Sequence, residues 1–335
     1  MASLQEVLPG ARTAVTQCLA IGPHDRVFIL TDEATRVIGE ALAQAAREQG
    51  AEVALHPLEA FGPRPFTSLP TSLEAALRAF RPTATFFAAQ GQPGEVAFRL
   101  ELGRLLRNEL KTRHGHMIGI TPLLMRTGMR ADYRQVAQRT MDIYERVRKA
   151  RTIRVTTPDG TDFTVTLDPD ARRWIPCTGL YHQPGQWGNL PEGEVFTAPV
   201  NAQGVLVAHL LGDYFSEKYG LLDHPMTFVV ENGRVVRVEH PQTSLAQEVW
   251  DYLQRDPNGT RVGEFAIGTN EFLQELTGNL LQDEKFPGVH VAFGDPYADR
   301  TGADWRSRVH VDVIPLRVNV WVDGQPLMRE GRFVV

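Results

Sequence analysis

Cysteine and lysine are scarce in this chain, and long apolar runs are missing. Cys18 and Cys177 are the two cysteines in 335 residues, far apart and without metal-type spacing. That excludes a disulfide scaffold and leaves two reduced core thiols as the expectation. Of 35 basic residues only Lys111, Lys149, Lys218 and Lys285 are lysines, and 40 acidic residues bring the net charge to −5. A mildly acidic surface gives no electrostatic footprint for nucleic acid or an anionic membrane. No stretch approaches the ~18 apolar residues of a membrane-spanning helix. Gln5, Glu6 and Arg12 fall where an export signal needs an unbroken apolar run. A cytoplasmic protein is expected, and Asn258-Gly259-Thr260, which fits a glycosylation sequon, then reads as a turn.

What is present is an ordinary globular composition, 42% hydrophobic and 22% charged, on a chain about two domains long at ~150 residues each. The first part alternates strand and helix patterns. Val27–Leu30, Ala51–Leu55, Thr83–Ala89 and His116–Ile120 read as strands. Apolar positions Val37, Ile38, Ala41, Leu42 and Ala45 recur at helical spacing, and helices are also expected over Glu95–Arg113 and Asp132–Ala150. This predicts an α/β domain with a parallel sheet over residues 1–150. Gly91 and Gly94 follow a strand, but the full dinucleotide fingerprint is absent.

After Arg151 the pattern becomes β-rich. Thr152–Thr156 and Asp162–Leu167 flank a Pro-Asp-Gly turn, and Asn232-Gly233 joins Thr227–Val230 to Val235–Val238 as a type I′ hairpin. Further strands are expected at Val195–Val200, Gly204–Leu210, Val262–Ile267, Val289–Phe293, Val309–Ile314 and Val318–Val322, with a helix over Ser244–Arg255. The second domain, 151–335, is therefore expected to be a β-rich α+β catalytic domain.

Its acidic and imidazole residues are unusually placed. His310 and Asp312 are two apart in a predicted strand, so they project from one face, with Val309, Val311 and Val313 on the other. Taken alone, the pair also fits the solvent side of a half-exposed strand. His290 begins a similar strand, Glu264 interrupts an apolar one, and Glu194 opens another after a tight turn. A carboxylate buried in such a run needs a partner. Two Glu, one Asp and two His make a ligand set suited to zinc, manganese, cobalt or iron, and three carboxylates could hold two divalent ions about 3.5–4 Å apart. No Gly-x-Ser-x-Gly elbow, cysteine–histidine neighbour or His-Glu-x-x-His motif offers another chemistry.

At these residues the sequence resembles the metallo-aminopeptidases of the aminopeptidase T and aminopeptidase S type. The resemblance is carried by Gly188–Pro199, Gly263-Glu264, Asp283-Glu284-Lys285, Gly288–Gly294 and His310-Val311-Asp312, in that order. It is specific from about Gly188 to Gly331 and architectural before that. It implies a dinuclear site of two divalent ions (Zn, Co or Mn), with ligands carried over to Glu194, Glu264, His290, His310 and Asp312. Glu264 and Asp312 would be the bridges. The active-site tyrosine matches Tyr297, which would donate to the oxyanion. A peptide or small-molecule substrate and a homodimer are implied too. The compact segment between His290 and His310 departs from the larger members.

The 2,5-dihydroxypyridine dioxygenases look similar in the same region. For them the resemblance implies one Fe(II) on His290, His310 and Asp312. Glu194 and Glu264, which such a centre does not need, favour the hydrolase. His114-x-His116 reads as a surface pair, and His182 as a loop histidine within reach of substrate. Asp283, Glu284 and Lys285 look like an ordinary charged turn, although the resemblance gives them a structural role behind the ligands.

Overall fold

A computed structural model describes residues 2–212 and 214–334. The chain divides into two compact units, Met1–Ala137 with Thr178–Glu192, and Gln138–Cys177 with Gly193–Val335. Among the described residues no helix is long and apolar enough to cross a membrane.

The first unit is an α/β layer structure. Its five strands run parallel in the order Glu52–Pro57, Arg26–Thr31, Ala84–Ala88, Arg113–His116 and Trp187–Asn189. Val27–Leu30 and Ala84–Ala88 are buried throughout, as interior parallel strands must be when helices cover both faces. Helix Arg36–Glu48 buries Ile38, Ala41, Leu42 and Ala45 against the sheet, and Gly50 follows at φ 81°. The fourth strand lies earlier than His116–Ile120. Arg113–His116 is the segment that pairs with its neighbours on both sides, and Gly119, at φ 72°, turns the chain away. The helix expected to Arg113 ends its α-helical part at Arg104 and continues as a π-helical turn, Leu105–Glu109.

Two local findings bear on the reading of this unit. Arg64 is buried between Asp32, at 2.9 Å, and Glu95, at 2.6 Å. Those carboxylates also accept the backbone N–H groups of Gln90 and Gln92. Amides that would cradle a phosphate after this strand are thus already engaged, against a dinucleotide role for Gly91 and Gly94. His114 and His116 are not a surface pair. His114 is buried, with Nδ1 2.8 Å from the Thr85 hydroxyl and Nε2 3.4 Å from His116 Nδ1, while half-buried His116 stacks on Phe87. An interior strand has no solvent side to offer them.

The second unit is one large antiparallel sheet. Its centre runs Asn201–Leu211, His310–Ile314, Gly288–Gly294, Val262–Gly268, Glu194–Thr197 and Ile175–Cys177. The hairpin Leu221–Glu231 with Arg234–Glu239 turns at Asn232 and Gly233, both at positive φ, as a type I′ turn demands. Helix Thr243–Leu253 buries Leu245, Val249 and Leu253 in the same core. Val195, Phe265, Ile267, Val289, Val291, Phe293, Val311 and Val313 point to one side of the central strands and fill that core. The residues between them point to the other side.

Candidate metal centre

That other side carries the polar residues. The strand registers set Glu194 opposite Gly268, Glu264 opposite Ala292, His290 opposite Ala266, His310 opposite Gly294 and Asp312 opposite Ala292. Each large polar side chain therefore faces a glycine or alanine across the ladder. This leaves room for the five to lean together on one face instead of being screened by bulky neighbours. A bulge between Val262 and Glu264 helps aim Glu264, and Gly263 permits it, because a Cβ there would lie 2.6 Å from the Gly294 carbonyl oxygen.

The five side chains converge. His290 Nε2 lies 3.5 Å from Glu194 Oε2, 3.8 Å from Glu264 Oε1 and 3.9 Å from Asp312 Oδ1. His310 Nε2 lies 3.6 Å from Glu264 Oε2 and 3.6 Å from Asp312 Oδ2. Glu264 and Asp312 thus each turn one oxygen to each imidazole. These separations sit at or beyond the limit of a hydrogen bond. The groups gather without satisfying one another, and buried Glu194 Oε2 has no hydrogen-bond partner among the described residues. Buried polar atoms in this condition cost free energy unless something else binds them. His310 Nδ1 donates to the Asp295 carbonyl at 3.0 Å, which leaves its Nε2 to face the cluster as a metal-binding imidazole would.

Glu284 joins the cluster. Its carboxylate, His290 and Asp312 offer ligand atoms within 4.8 Å of one another, as do Glu264, His310 and Asp312. The two groups share Asp312. Lys285 is buried beside them, its Nζ 2.7 Å from Glu194 Oε1 and 2.7 Å from Glu284 Oε1. Asp283 is buried as well and accepts from Thr277 N, Thr277 Oγ1 and Gly278 N. The Asp-Glu-Lys segment is therefore no ordinary charged turn. Sequence reasoning left Glu284 out because it follows a one-turn helix, Leu280–Asp283, outside the strands whose alternation reveals the others. The one available signal was two acids and a lysine just before a ligand-bearing strand.

The electrostatics follow from this crowding. Burial lowers the pKa of His290, but Glu264, Glu194 and Asp312 outweigh it and hold it at about 9. Burial likewise opposes charge on His310, and Asp312 and Glu264 lift it to about 10. Burial raises Glu284 to about 8, aided by Glu194 and Asp312 and opposed by Lys285. A site that gathers this much negative charge and must protonate its histidines to balance it fits a divalent cation. Carboxylate and imidazole donors suit zinc, cobalt, manganese or iron.

Tyr297 stands at the rim, 43% exposed, with its backbone left-handed at φ 49°. Its ring lies 4.8 Å from the His310 ring and 5.7 Å from Phe196. His182 belongs to the other unit, where it is a loop residue with Nε2 2.7 Å from the Gln17 carbonyl oxygen.

Comparisons with known proteins bear on the fold and the family. Among solved structures the chain is similar to 2,5-dihydroxypyridine dioxygenase from Pseudomonas putida KT2440, with a TM-score of 0.73 at 17% identity over 100% of this chain and 99% of that one. It is also similar to AmpT from Thermus thermophilus, with a TM-score of 0.71 at 20% identity over 99% of each chain. At these identities both show the fold. No protein of curated function matches the sequence. The sequence model described as thermophilic metalloprotease (M29) matches residues 129–318, a span that takes in every member of the polar cluster. With more than half of its length so matched, the chain belongs to the thermophilic metalloprotease (M29) family.

Proposed function

We propose that the protein is a metal-dependent aminopeptidase that removes N-terminal residues from peptides. The observation that carries this reading is the face on which Glu194, Glu264, Glu284, His290, His310 and Asp312 converge, with Glu194 Oε2 left without a hydrogen-bond partner among the described residues. The family is one of metalloproteases, and AmpT from Thermus thermophilus has a similar fold. In its fuller form the reading gives the centre two divalent ions, zinc, cobalt or manganese. Glu264 and Asp312 would help hold them, since each presents one oxygen to each histidine.

Bound divalent ions supply Lewis-acid polarisation of the scissile carbonyl and a water of lowered pKa. The residues of the chain do the remainder. Glu264 would act by holding the ions that activate the attacking water. Tyr297, beside His310, donates its hydroxyl hydrogen to the developing oxyanion. A carboxylate of the cluster receives the free amine of the substrate.

A ring-cleaving Fe(II) dioxygenase is the alternative. It would use His290, His310 and Asp312, and one solved structure of similar fold, that of 2,5-dihydroxypyridine dioxygenase, is of that kind. Glu194, Glu264 and Glu284 on the same face are surplus to a mononuclear triad, which favours hydrolysis.

The test is direct. Protein stripped with a chelator is given zinc, cobalt, manganese or Fe(II), then assayed with leucine p-nitroanilide and its N-acetyl derivative. Metal-dependent release from the free-amine substrate alone is expected. Full activity after exhaustive chelation would exclude the reading. So would Fe(II)-dependent oxygen uptake with 2,5-dihydroxypyridine and no amide hydrolysis.

A further inference from the structure

Lys285 is one of four lysines in the chain, and it is buried at the centre of the metal face. Its Nζ lies 2.7 Å from Glu194 Oε1 and 2.7 Å from Glu284 Oε1. An ammonium is a compact point charge with three donors. Between two carboxylates it does what a small cation would do there. The backbone delivers it by a close approach. A Cβ on Gly268 would lie 2.1 Å from the Phe286 carbonyl oxygen and 2.9 Å from that of Glu284. The chain around Lys285 therefore crosses the metal face directly over Gly268, opposite Glu194.

The two ligand groups that share Asp312 differ in their relation to this charge. One consists of Glu264, His310 and Asp312. The other contains Glu284, whose Oε1 already holds the ammonium, together with His290 and Asp312. Glu194, which approaches His290 with its Oε2, holds the same ammonium through its Oε1. A divalent ion bound by the second group would sit next to a fixed positive charge in a buried site, where like charges repel strongly. It would also compete for carboxylate oxygens that Lys285 occupies.

We propose that Lys285 is a built-in cation that makes the two metal positions unequal. One divalent ion binds tightly at Glu264, His310 and Asp312. A second, at Glu284, His290 and Asp312, binds far more weakly. Lys285 is thus a positioning residue that sets metal occupancy. The inference rests on the metal site of the function proposed above, and is independent of its substrate.

The experiment titrates metal-free full-length protein with Zn2+ or Mn2+ against a competing chelator, and measures bound metal after gel filtration. Wild type is expected to show two dissociation constants at least ~100-fold apart. Lys285→Met, which keeps length and removes charge, is expected to tighten the weaker site by ~10-fold or more while the tighter one changes little. Lys285→Arg, which keeps the charge, is expected to keep the gap. Two equally tight ions in the wild type overturn the proposal without any variant, so it remains decidable if Lys285→Met does not fold. A folded Lys285→Met with an unchanged weak site overturns it too, because a lysine that merely braces the loop would have no effect on that constant. Catalysis is not the readout. A chain with unequal ion affinities that cleaves no aminoacyl substrate would refute the peptidase reading and leave the role of Lys285 standing.

Discussion

Gly212 lies against Asp312. A Cβ on Gly212 would be 2.8 Å from the Asp312 Cβ and 2.9 Å from its Oδ2, and the Gly212 N–H donates to the Asp312 carbonyl at 2.7 Å. The absence of a side chain at 212 is what lets the strand of Asp312 carry a carboxylate against its neighbour.

Gly212→Ala should therefore push Asp312 out of place. Metal affinity is expected to fall by ~10–100-fold, the range usual when the support of a ligand is disturbed. Far-ultraviolet circular dichroism should stay unchanged. Isothermal titration of the metal-free variant checks it, and wild-type affinity would mean that Asp312 does not bind metal.

Glu194→Ala separates the two chemistries. In a two-ion hydrolase the loss of this carboxylate should remove the weaker ion at saturating metal and reduce hydrolysis at least ~100-fold. In a mononuclear dioxygenase Glu194 is no ligand, and the metal count would stay the same. Metal analysis of variant and wild type side by side decides between them.

Tyr297→Phe removes one oxygen and leaves the ring against His310 and Phe196. Metal content and stability should be as in wild type. Turnover should drop by ~10²–10³-fold if the hydroxyl donates to the oxyanion, with little change in KM. Wild-type turnover would leave Tyr297 as a packing residue.

Acid should weaken the first unit through His114. Burial, aided by Arg107, lowers its pKa to about 4, below the ordinary value of 6.5. Above pH 6.5 neither folded nor unfolded chain protonates this group, and its contribution to stability is fully present. Between pH 6.5 and 4 the unfolded chain takes up a proton that the folded one refuses, so stability is lost as pH falls. At ~1.4 kcal/mol per pKa unit the loss approaches about 3 kcal/mol. Urea unfolding at pH 7 and pH 5, beside His114→Asn, measures it. The variant should show a smaller loss, and an equal loss in both would assign the acid sensitivity elsewhere.

The five strand-borne polar residues were legible because a strand alternates strictly. Val309, Val311 and Val313 announce one face, so His310 and Asp312 must share the other. The parallel α/β layer was legible for a similar reason, since Val27–Leu30 is apolar throughout and Ala84–Ala88 is apolar but for Thr85. Glu284 and Lys285 were not legible, because no periodicity connects them to the sheet. Their burial depends on Gly268, and nothing local to Asp-Glu-Lys records that contact. The Trp187–Asn189 strand is too short and too polar to read alone, and it adds to the sheet only through pairing with His114–His116. The burial of His114 follows from that same added strand.

The shared face of the central strands has a consequence for how the protein matures. Glu194 and Asp312 are about a third of the chain apart, and their strands meet only through those of Glu264 and His290. Such non-local pairing forms slowly, and a fragment lacking any one strand has no centre to fill. Metal capture is then a late event that follows closure of the sheet. A ligand that binds only the closed form, present at about a thousand times its dissociation constant, adds about 4 kcal/mol to its stability. The supply of metal in the cell would decide how long each newly made copy survives, as well as whether it is active.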